Sequence, residues 1–311
     1  HYHSKKENLQ RMSETEIPPL KSILKSGLYL IPIIIIIYIV FSGYTPSRAA
    51  IYGMFATILV SWVYGEHRIF IKDLFETAEE ILYSVAPLVV ACASAGILIS
   101  SINLTGLVGK FTTLIFSVSG ESVLMVLIIS ALISILLGLG MPTPAVYVLT
   151  ATLTGPAIID TGIPLLAAHL FLVFFASMSA ITPPVGVAAY TAAGIAEASP
   201  IKIGIAAVKL AITAFLLPFM FVFQPALLMH GTLIEIMLAF LFACLGLWAV
   251  AIGAEGYWKR SLNWWTRSLF IGSGILVTYP EIWSTVLGGL VLTAVLLIEK
   301  KTARNLTTKG E

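Results

Sequence analysis

Two short segments rich in glycine and proline interrupt long apolar runs near the middle of the chain. The first is Gly138-Leu-Gly-Met-Pro-Thr143 and the second is Thr182-Pro-Pro-Val-Gly186. A proline inside a helix removes a backbone hydrogen bond and clashes with the preceding turn, at a cost of about 3 kcal/mol. Each segment therefore predicts a break between two helices, with peptide carbonyls that lack a helical partner.

Hydroxyl side chains lie at or next to both breaks. Thr143 and Thr182 belong to the two segments, and Ser177 and Ser179 come just before the second one. Carbonyl and hydroxyl oxygens are hard ligands suited to Na⁺, and the N-terminus of a half-helix can hold an anionic substrate. A single break favours a packing kink, whereas two breaks in adjacent membrane helices are typical of secondary transporters.

The composition places these breaks inside a membrane. The chain of 311 residues is 58% hydrophobic and 11% charged, with a mean hydropathy of +0.97. A soluble domain carries about 25% charged residues. Between Glu121 and Glu197 the only charged side chain is Asp160, and one helical span needs roughly 20 apolar residues. The sequence therefore predicts an all-α polytopic membrane protein.

Other features exclude several classes of function. The net charge of +2 and the lack of a basic face with interleaved aromatic residues argue against a nucleic-acid partner. The motifs of zinc hydrolases, phosphate-binding loops and serine hydrolases are missing, so we expect no enzymatic activity. The two cysteines, Cys92 and Cys244, are predicted to be small buried hydrophobic residues. A channel would need a continuous polar ring along a pore, and the polar residues here cluster at the breaks.

The apolar pattern divides the chain into predicted helices. We expect an interfacial helix over 66–80, followed by a re-entrant hairpin over 82–118 with two short arms and a tip near Asn103 to Gly106. An aromatic and basic stretch over 257–267, with Trp248 before it, is typical of the membrane interface. The predicted spans cover about 28–41, 49–64, 123–139, 165–181, 205–228, 233–252 and 283–298, and a short one covers 268–279.

These helices suggest a domain organisation. The parts are a polar cytoplasmic tail (1–21), scaffold helices (22–72), a transport domain with the hairpin and both broken helices (73–200), a scaffold helix (201–230), and extra helices with a basic tail (231–311). The chain starts without Met, and its first residues, His-Tyr-His-Ser-Lys-Lys, look like part of a longer reading frame. We therefore expect it to be a fragment.

The charges also suggest an orientation. With a cytoplasmic tail and a hairpin that enters and leaves on one side, most basic residues fall inside, in agreement with the positive-inside rule. Arg48 falls outside, together with Asp160, Glu235 and Glu281. The basic residues predicted on the inside are Arg68, Lys72, Lys202, Lys209 and those of 259–267 and 300–304.

The two broken segments resemble motifs of the large permease subunit of tripartite ATP-independent periplasmic (TRAP) transporters. The segment from Ala91-Cys-Ala-Ser-Ala-Gly96 to Gly106 adds to the resemblance, which covers about residues 75–229 and matches the second half of that subunit. Helices after residue 232 resemble the extension of fused permeases that pair with TAXI-type binding proteins. Where many relatives have an acidic residue after the methionine of the first motif, this chain has Pro142-Thr143.

The resemblance implies a function and a set of site residues. It implies an elevator-type transporter half in the bacterial inner membrane that imports an organic acid (carboxylate) with Na⁺ and without ATP. The implied partners are a periplasmic binding protein, a small permease subunit or fused N-terminal half, and membrane lipid; no cofactor other than Na⁺ is implied. The implied cation-binding positions are Gly138, Gly140, Met141, Thr143, Ser179, Thr182, Pro183 and Gly186. The implied substrate-binding positions are Ser94, Gly96, Asn103, Thr105, Pro142 and Pro184.

Some residues leave alternatives open. His169 is an ionisable side chain within the most apolar region, where such groups are often functional. It could take part in a proton relay, or it could be a neutral side chain that is hydrogen-bonded to a neighbouring helix. Asp160 is expected in a solvated turn, and Glu121 and Glu197 at helix ends near water. A proton-coupled transporter or a channel of another family therefore remains an alternative to Na⁺ coupling, and an integral-membrane enzyme is a weaker one.

Overall fold

The computed structural model describes residues 26–64, 68–120, 122–258 and 260–307. These residues form fourteen α-helices and two short 3-10 helices, and no β-strand occurs within the same ranges. The prediction of an all-α fold is therefore confirmed. The tail predicted over 1–21 and the predicted position of Glu121 lie outside the described residues.

The helices are α1 Ile31–Phe41, α2 Pro46–Tyr64, α3 Ile71–Leu104, α4 Leu107–Ser119, α5 Val123–Leu137, α6 Thr143–Leu153, α7 Gly155–Asp160, α8 Leu165–Ser179, α9 Val187–Ala196, α10 Pro200–Leu210, α11 Ile212–Phe223, α12 Leu233–Glu255, α13 Trp264–Thr278 and α14 Ile282–Thr307.

Three described helices are long and apolar enough to cross a membrane. The number rises to four if the bent pair α9–α10 forms one span. Shorter apolar helices of 10–17 residues make up most of the remainder. The three long helices cover Ile71–Leu104, Leu233–Glu255 and Ile282–Lys301.

The contacts divide the chain into two compact units, and Pro87 inside α3 marks the boundary. In the described part of the smaller unit, α1 and α2 pack closely against each other. A Cβ at Gly53 on α2 would lie 2.5 Å from Cδ1 of Ile36 on α1, so only a hydrogen fits there. Ala49, Ala56 and Val60 are buried on α2. The two segments predicted as spans over 28–41 and 49–64 are thus helical, but neither α1 nor α2 is among the described helices that are long and apolar enough to cross a membrane.

Helix α3 differs from the prediction for the segment that precedes α4. Instead of an interfacial helix followed by a short hairpin arm, residues Ile71–Leu104 form one continuous helix. Alanine is the strongest helix former, and a single internal glycine costs only about 1 kcal/mol. The hydroxyls of Ser84, Ser94 and Ser101 each bond to the carbonyl four residues earlier, so they do not interrupt the helix. The turn at Thr105-Gly106, where Gly106 has a φ of +67°, lies at the predicted tip.

The larger unit has an aromatic core around α8. Phe171 and Phe175 are buried on α8, and both rings meet Phe219 of α11 edge-on, with centroids 5.2 and 5.8 Å apart. Edge-to-face aromatic pairs add about 0.5–1.5 kcal/mol beyond the burial of their area. Helices α4, α5 and α7 contribute Ile115, Leu127 and other residues to the same cluster. Helix α8 is therefore the central element around which the others pack.

The single span predicted over 205–228 is two helices. Helix α10 ends at Leu210 and α11 begins at Ile212, with Ala211 between them. Different neighbours hold the two pieces: α10 packs on α9, whereas the phenylalanines of α11 pack on α8. Helices α9 and α10 are bent by 116° relative to each other. Tertiary packing therefore overrides the continuous apolar pattern.

The last three helices, α12 to α14, form a bundle with close backbone contacts, as in many membrane helix pairs. A Cβ at Gly274 of α13 would lie 2.5 Å from the carbonyl oxygen of Gly246 on α12. A Cβ at Gly253 would lie 2.7 Å from the carbonyl oxygen of Arg267. The core of the bundle includes Phe270, with Trp248 and Trp258 packed against it. Glycines thus set the short distance between α12 and α13.

One end of this bundle carries buried charges. Arg260 makes two bonds to the carboxylate of Glu299, at 2.9 and 3.0 Å, and Glu299 is 1% exposed. Lys209 of α10 lies 3.1 Å from Glu255 at the end of α12. Arg267 donates to the last carbonyls of α12. The structure therefore gathers at one end several of the basic residues that the orientation prediction places on the cytoplasmic side.

The opposite end of the bundle is acidic and capped. Thr232 and Glu235 form a reciprocal capping box at the start of α12, with the amide of Thr232 donating to Oε2 of Glu235 at 2.8 Å. This arrangement satisfies two of the amides that a helix N-terminus leaves free. Glu281 precedes α14 at the same end, next to the last residue of α13, Thr278. The charge asymmetry predicted from the sequence thus coincides with the two ends of one bundle.

Candidate functional site

The helix breaks predicted from the two Gly/Pro segments are present. Helix α5 ends at Leu137 and α6 begins at Thr143, while α8 ends at Ser179 and α9 begins at Val187. Gly140 and Gly186, inside the two breaks, have φ values of +83° and +31°. Glycine reaches positive φ with little steric cost. The breaks are therefore ordered turns and not bends of continuous helices.

The two breaks lie against each other. A Cβ at Gly138 would overlap the side chain of Ser179, so these residues are in direct contact. A Cβ at Gly140 would lie 3.6 Å from Cγ1 of Val185, which is ordinary van der Waals contact. The fold thus brings together two segments that are more than 40 residues apart in the sequence.

Both breaks leave backbone oxygens free. Among the residues that the structure describes, no hydrogen bond reaches the carbonyls of Leu139, Gly140 or Met141. The carbonyls of Ile181 and Pro183 also accept none from the described part of the chain. In a membrane such groups are tolerated where they line a cavity or meet a ligand. The unpaired carbonyls of the two breaks are neutral oxygen atoms of the kind that can serve as cation ligands.

The hydroxyl groups near the breaks are oriented by their own helices. Ser179 Oγ donates to the carbonyl of Ala176 at 2.7 Å, and Thr182 Oγ1 donates to the carbonyl of Met178 at 2.7 Å. Because each proton is used inside the helix, the lone pairs of each oxygen remain available. Ser179 is 1% exposed, and Thr143 and Thr182 are half-buried.

The second break is tightly packed on its outer side. Pro183 packs against Gly204 of α10, where a Cβ would lie 2.9 Å from Cγ of the proline. A narrow cleft beside it, lined in part by Gly186 and Pro200, leaves no room for a water molecule. The amide of Ala188 donates to the carbonyl of Ala180 at 2.9 Å across the break. The break is therefore held closed by packing and by one cross-break hydrogen bond.

Helix α6 turns back beside α8. Tyr147 Oη lies 2.8 Å from Nδ1 of His169, and both side chains are half-buried. His169 lies ten residues before Ser179, which is about 15 Å along a helix. Gly138, at the end of α5, lies beside Ser179, at the end of α8. If α6 continued in the direction of α5, Tyr147 would therefore lie beyond the end of α8 and not beside His169. The first break is therefore a reversal of direction, and His169 has the hydrogen-bond partner on a neighbouring helix that one of the two sequence interpretations predicts.

The chain matches the family described as tripartite ATP-independent periplasmic transporter, DctM component, over residues 1–236. The chain belongs to this family. No curated protein and no solved structure matches it. The resemblance read from the two broken segments is thus confirmed, and the protein is a multi-pass membrane permease of TRAP type. Permeases of this family work in general with a periplasmic binding protein and a small subunit.

All eight residues that the sequence predicts as the permease's cation ligands lie at the two breaks or at the helix ends beside them. Gly138 and Ser179 are in direct contact, and Gly140 meets the second break at Val185. The prolines predicted to bind substrate, Pro142 and Pro184, lie in the same two breaks. The remaining predicted cation ligands are Met141, Thr143, Thr182, Pro183 and Gly186.

The other predicted substrate-binding residues of the permease lie elsewhere. Ser94, Gly96 and Asn103 are exposed on α3, and Thr105 is exposed in the turn after it. Helix α3 packs extensively against none of the described helices that carry the breaks. The structure therefore does not bring these four residues to the two breaks.

Further outcomes concern polar and aromatic residues outside the breaks of the permease. Asp160 ends α7 and is exposed, and Glu197 is the C-cap of α9, as predicted for residues near water. Trp264 and Trp265 are stacked and exposed, with centroids 3.8 Å apart, as interfacial residues would be. Cys92 and Cys244 are exposed, so the prediction that both are buried is wrong. Their apolar helix faces are not covered by other described helices.

Sequence reasoning missed two residues that shape this site. Gly204 packs against Pro183 of the second break, and Tyr147 bonds to His169. Only Tyr147 carried a signal, because it lies four residues after Thr143 and so on the same face of the helix. The packing of Gly204 on Pro183 depends on the bend between α9 and α10, which no local pattern shows.

Proposed function

We propose that this permease takes up an organic acid, with a carboxylate group, in symport with Na⁺ across the bacterial inner membrane. Substrate arrives from a periplasmic binding protein. A small permease subunit, or a fused N-terminal half, completes the transporter. The proposal rests on the family of the chain and on the chemistry of its two breaks.

The contact between Gly138 and Ser179 is the observation that carries the proposal. Through this contact, the break that holds the unpaired carbonyls of Leu139, Gly140 and Met141 begins beside the buried side chain of Ser179. Na⁺ favours such oxygen ligands, and broken helices near the bilayer centre are the usual source of them in secondary transporters. The eight predicted cation ligands at the two breaks are the proposed site.

The proposed cation site is neutral. Pro142 and Thr143 follow Met141, so no carboxylate lies in the first break, and the second break is neutral as well. Na⁺ bound at a neutral site keeps a positive charge that no protein carboxylate offsets. A carboxylate substrate bound nearby would offset that charge, so each ligand would favour binding of the other. Pro142 and Pro184 are the proposed substrate-contacting residues in the breaks. Ser94, Gly96, Asn103 and Thr105 lie apart from the breaks, on α3 and in the turn after it, so their proposed contact with the substrate requires α3 to approach the breaks.

Transport would proceed by movement of residues 73–200 against the flanking helices. Ion and substrate together would stabilise the state that moves, which couples the gradient to uptake without ATP hydrolysis. Protein that holds only one of the two ligands would not move. Na⁺ alone leaves an uncompensated charge, and substrate alone leaves the carbonyls of the breaks without a ligand.

Membrane vesicles provide the test of sodium coupling. Vesicles that contain the complete permease and its small subunit receive the binding protein loaded with radiolabelled organic acid. We expect accumulation with an inward Na⁺ gradient and no ATP, and none with an equal K⁺ gradient. Equal accumulation with both cations would overturn sodium coupling.

Proton coupling is the second candidate, because His169 and Tyr147 form a polar pair inside the apolar region. The same vesicles distinguish it when Na⁺ is equal on both sides and only the pH differs. We expect no accumulation under that condition. Accumulation driven by the pH difference alone would favour the proton as coupling ion.

A further inference from the structure

We propose that the hydrogen bond between Tyr147 and His169 positions Thr143 for cation binding, an inference that rests on the proposed function. Tyr147 belongs to α6, which starts at the first break, and His169 belongs to α8, which ends at the second. Their bond, at 2.8 Å, links the two helices that flank the contact between Gly138 and Ser179. Both residues are therefore positioning residues rather than ligands.

Helix geometry connects this bond to Thr143. Residues four apart in a helix lie on the same face, one turn above each other. Thr143 and Tyr147 have this spacing, so a rotation of α6 that brings Tyr147 to α8 also turns Thr143 toward α8. Thr143 is the first residue of α6, and the break before it contributes few hydrogen bonds that could fix the rotation. The buried face of α6, which includes Ala145, Val146 and Leu149, sets the overall rotation of the helix, and the bond one turn after Thr143 adds a constraint near its first turn.

The surroundings of His169 support a specific partnership. Helix α8 packs against α5, α6, α7 and α11. Among the residues of these four helices, Tyr147 and Asp160 are the titratable ones, and Asp160 lies exposed at the end of α7. The remaining side chains on these helices are apolar residues, glycine, serine and threonine. A tyrosine hydroxyl and an imidazole in such surroundings have few alternatives to bonding with each other.

Three variants and one control test the bond between Tyr147 Oη and His169 Nδ1. Tyr147→Phe removes the hydroxyl and His169→Leu removes the ring nitrogen that bonds to it. His169→Asn keeps a polar δ atom, the same number of bonds from the backbone as Nδ1, which can pair with the hydroxyl as acceptor or as donor. Tyr83→Phe is the matched control, because the Tyr83 side chain on α3 is 74% exposed.

The first readout is the Na⁺ concentration for half-maximal uptake in vesicles. Loss of one hydrogen bond of about 1 kcal/mol should raise this concentration about threefold to tenfold in Tyr147→Phe and His169→Leu. His169→Asn and Tyr83→Phe should stay near the wild-type value. Adding Tyr147→Phe to Thr143→Val should cause no further rise, because the bond acts through Thr143. A general loss of folded protein would lower the maximal rate and leave the half-saturating concentration unchanged.

The second readout does not depend on transport. Thr143→Cys, in a chain that also carries Cys92→Ala and Cys244→Ala, is labelled in vesicles with a water-soluble thiol reagent. We expect labelling at least about threefold faster in Tyr147→Phe and His169→Leu, since loss of the bond loosens the first turn of α6. In His169→Asn, we expect the labelling rate to return to the value measured with Tyr147 and His169 both present.

The outcomes separate the two proposals. Sodium-independent uptake by the wild-type permease would overturn the proposed function, and the labelling rates would still decide whether the bond positions residue 143. Unchanged labelling in both bond-breaking variants would overturn the positioning role. Labelling of His169→Asn at the rate of His169→Leu would overturn it as well, because packing and not the hydrogen bond would then be responsible.

Discussion

Gly138 lies directly against Ser179, and this contact joins the two breaks of the permease. A glycine allows the approach because any Cβ would overlap the serine side chain. Two breaks that each lose regular hydrogen bonding thus meet at Gly138 and Ser179, and again at Gly140 and Val185. The first prediction tests whether the close approach is needed.

Gly138→Ala should destabilise the permease by about 1–3 kcal/mol, since overpacking forces neighbouring atoms to shift. Thermal unfolding in detergent measures the change. Ser179→Gly removes the side chain that the new Cβ meets, so the double variant Gly138→Ala/Ser179→Gly should recover much of the loss. Gly194→Ala is the control, because nothing lies within 4 Å of a Cβ there. An unaffected Gly138→Ala protein would contradict the contact.

Thr143→Val and Thr182→Val should each raise the Na⁺ concentration for half-maximal uptake, by about threefold to tenfold for loss of one oxygen ligand. Valine keeps the shape of threonine and removes the oxygen. Thr191→Val is the matched control, since Thr191 is exposed on α9 and bonds within its own helix. Uptake kinetics at varied Na⁺ give the measurement. Sodium dependence that stays the same in both site variants would remove these residues from the site.

Gly274→Ala should destabilise the C-terminal bundle by about 1–3 kcal/mol, because its Cβ would press on the carbonyl of Gly246 and on Val250. Gly272→Ala, two residues away on the same helix, should be neutral or slightly stabilising, since no atom lies within 4 Å of its Cβ. Melting temperatures of the two variants in detergent provide the comparison. Equal melting temperatures would argue against close packing of α12 and α13.

Glu299→Gln should destabilise the bundle by about 3 kcal/mol, because it leaves Arg260 without its buried carboxylate partner. Combining it with Arg260→Gln should cost less than the sum of the single changes, as expected for residues that interact. Glu76→Gln is the matched control, since it breaks the exposed pair with Lys72, and exposed pairs contribute little. Chemical unfolding in detergent measures the stability of the two single variants, the double variant and the control. If the double variant lost as much stability as the two single variants together, the result would contradict the ion pair.

The helix breaks could be predicted from sequence because their causes are local. Proline and glycine act on the residues next to them, so the ends at Leu137 and Ser179 follow from the segments themselves. The turn at Gly106 is predictable for the same reason. The continuity of α3 differs from the prediction because its small residues are weak helix breakers. Their hydroxyls in fact bond inside the helix.

Features that depend on distant residues could not be predicted. The reversal of α6 beside α8 follows from contacts such as Tyr147 with His169, which are 22 residues apart. The ion pair of Arg260 and Glu299 spans 39 residues. The division at Ala211 depends on which neighbours α10 and α11 pack against. An apolar pattern shows that a helix is buried but not which partner buries it.

The C-terminal bundle also has a consequence for biogenesis. Its main contacts join helices that follow each other in the chain, first α12 with α13 and then α13 with α14. Contacts between sequential helices form quickly, because little loop entropy is lost. These three helices can therefore assemble as each one enters the bilayer, without waiting for partners synthesised long before.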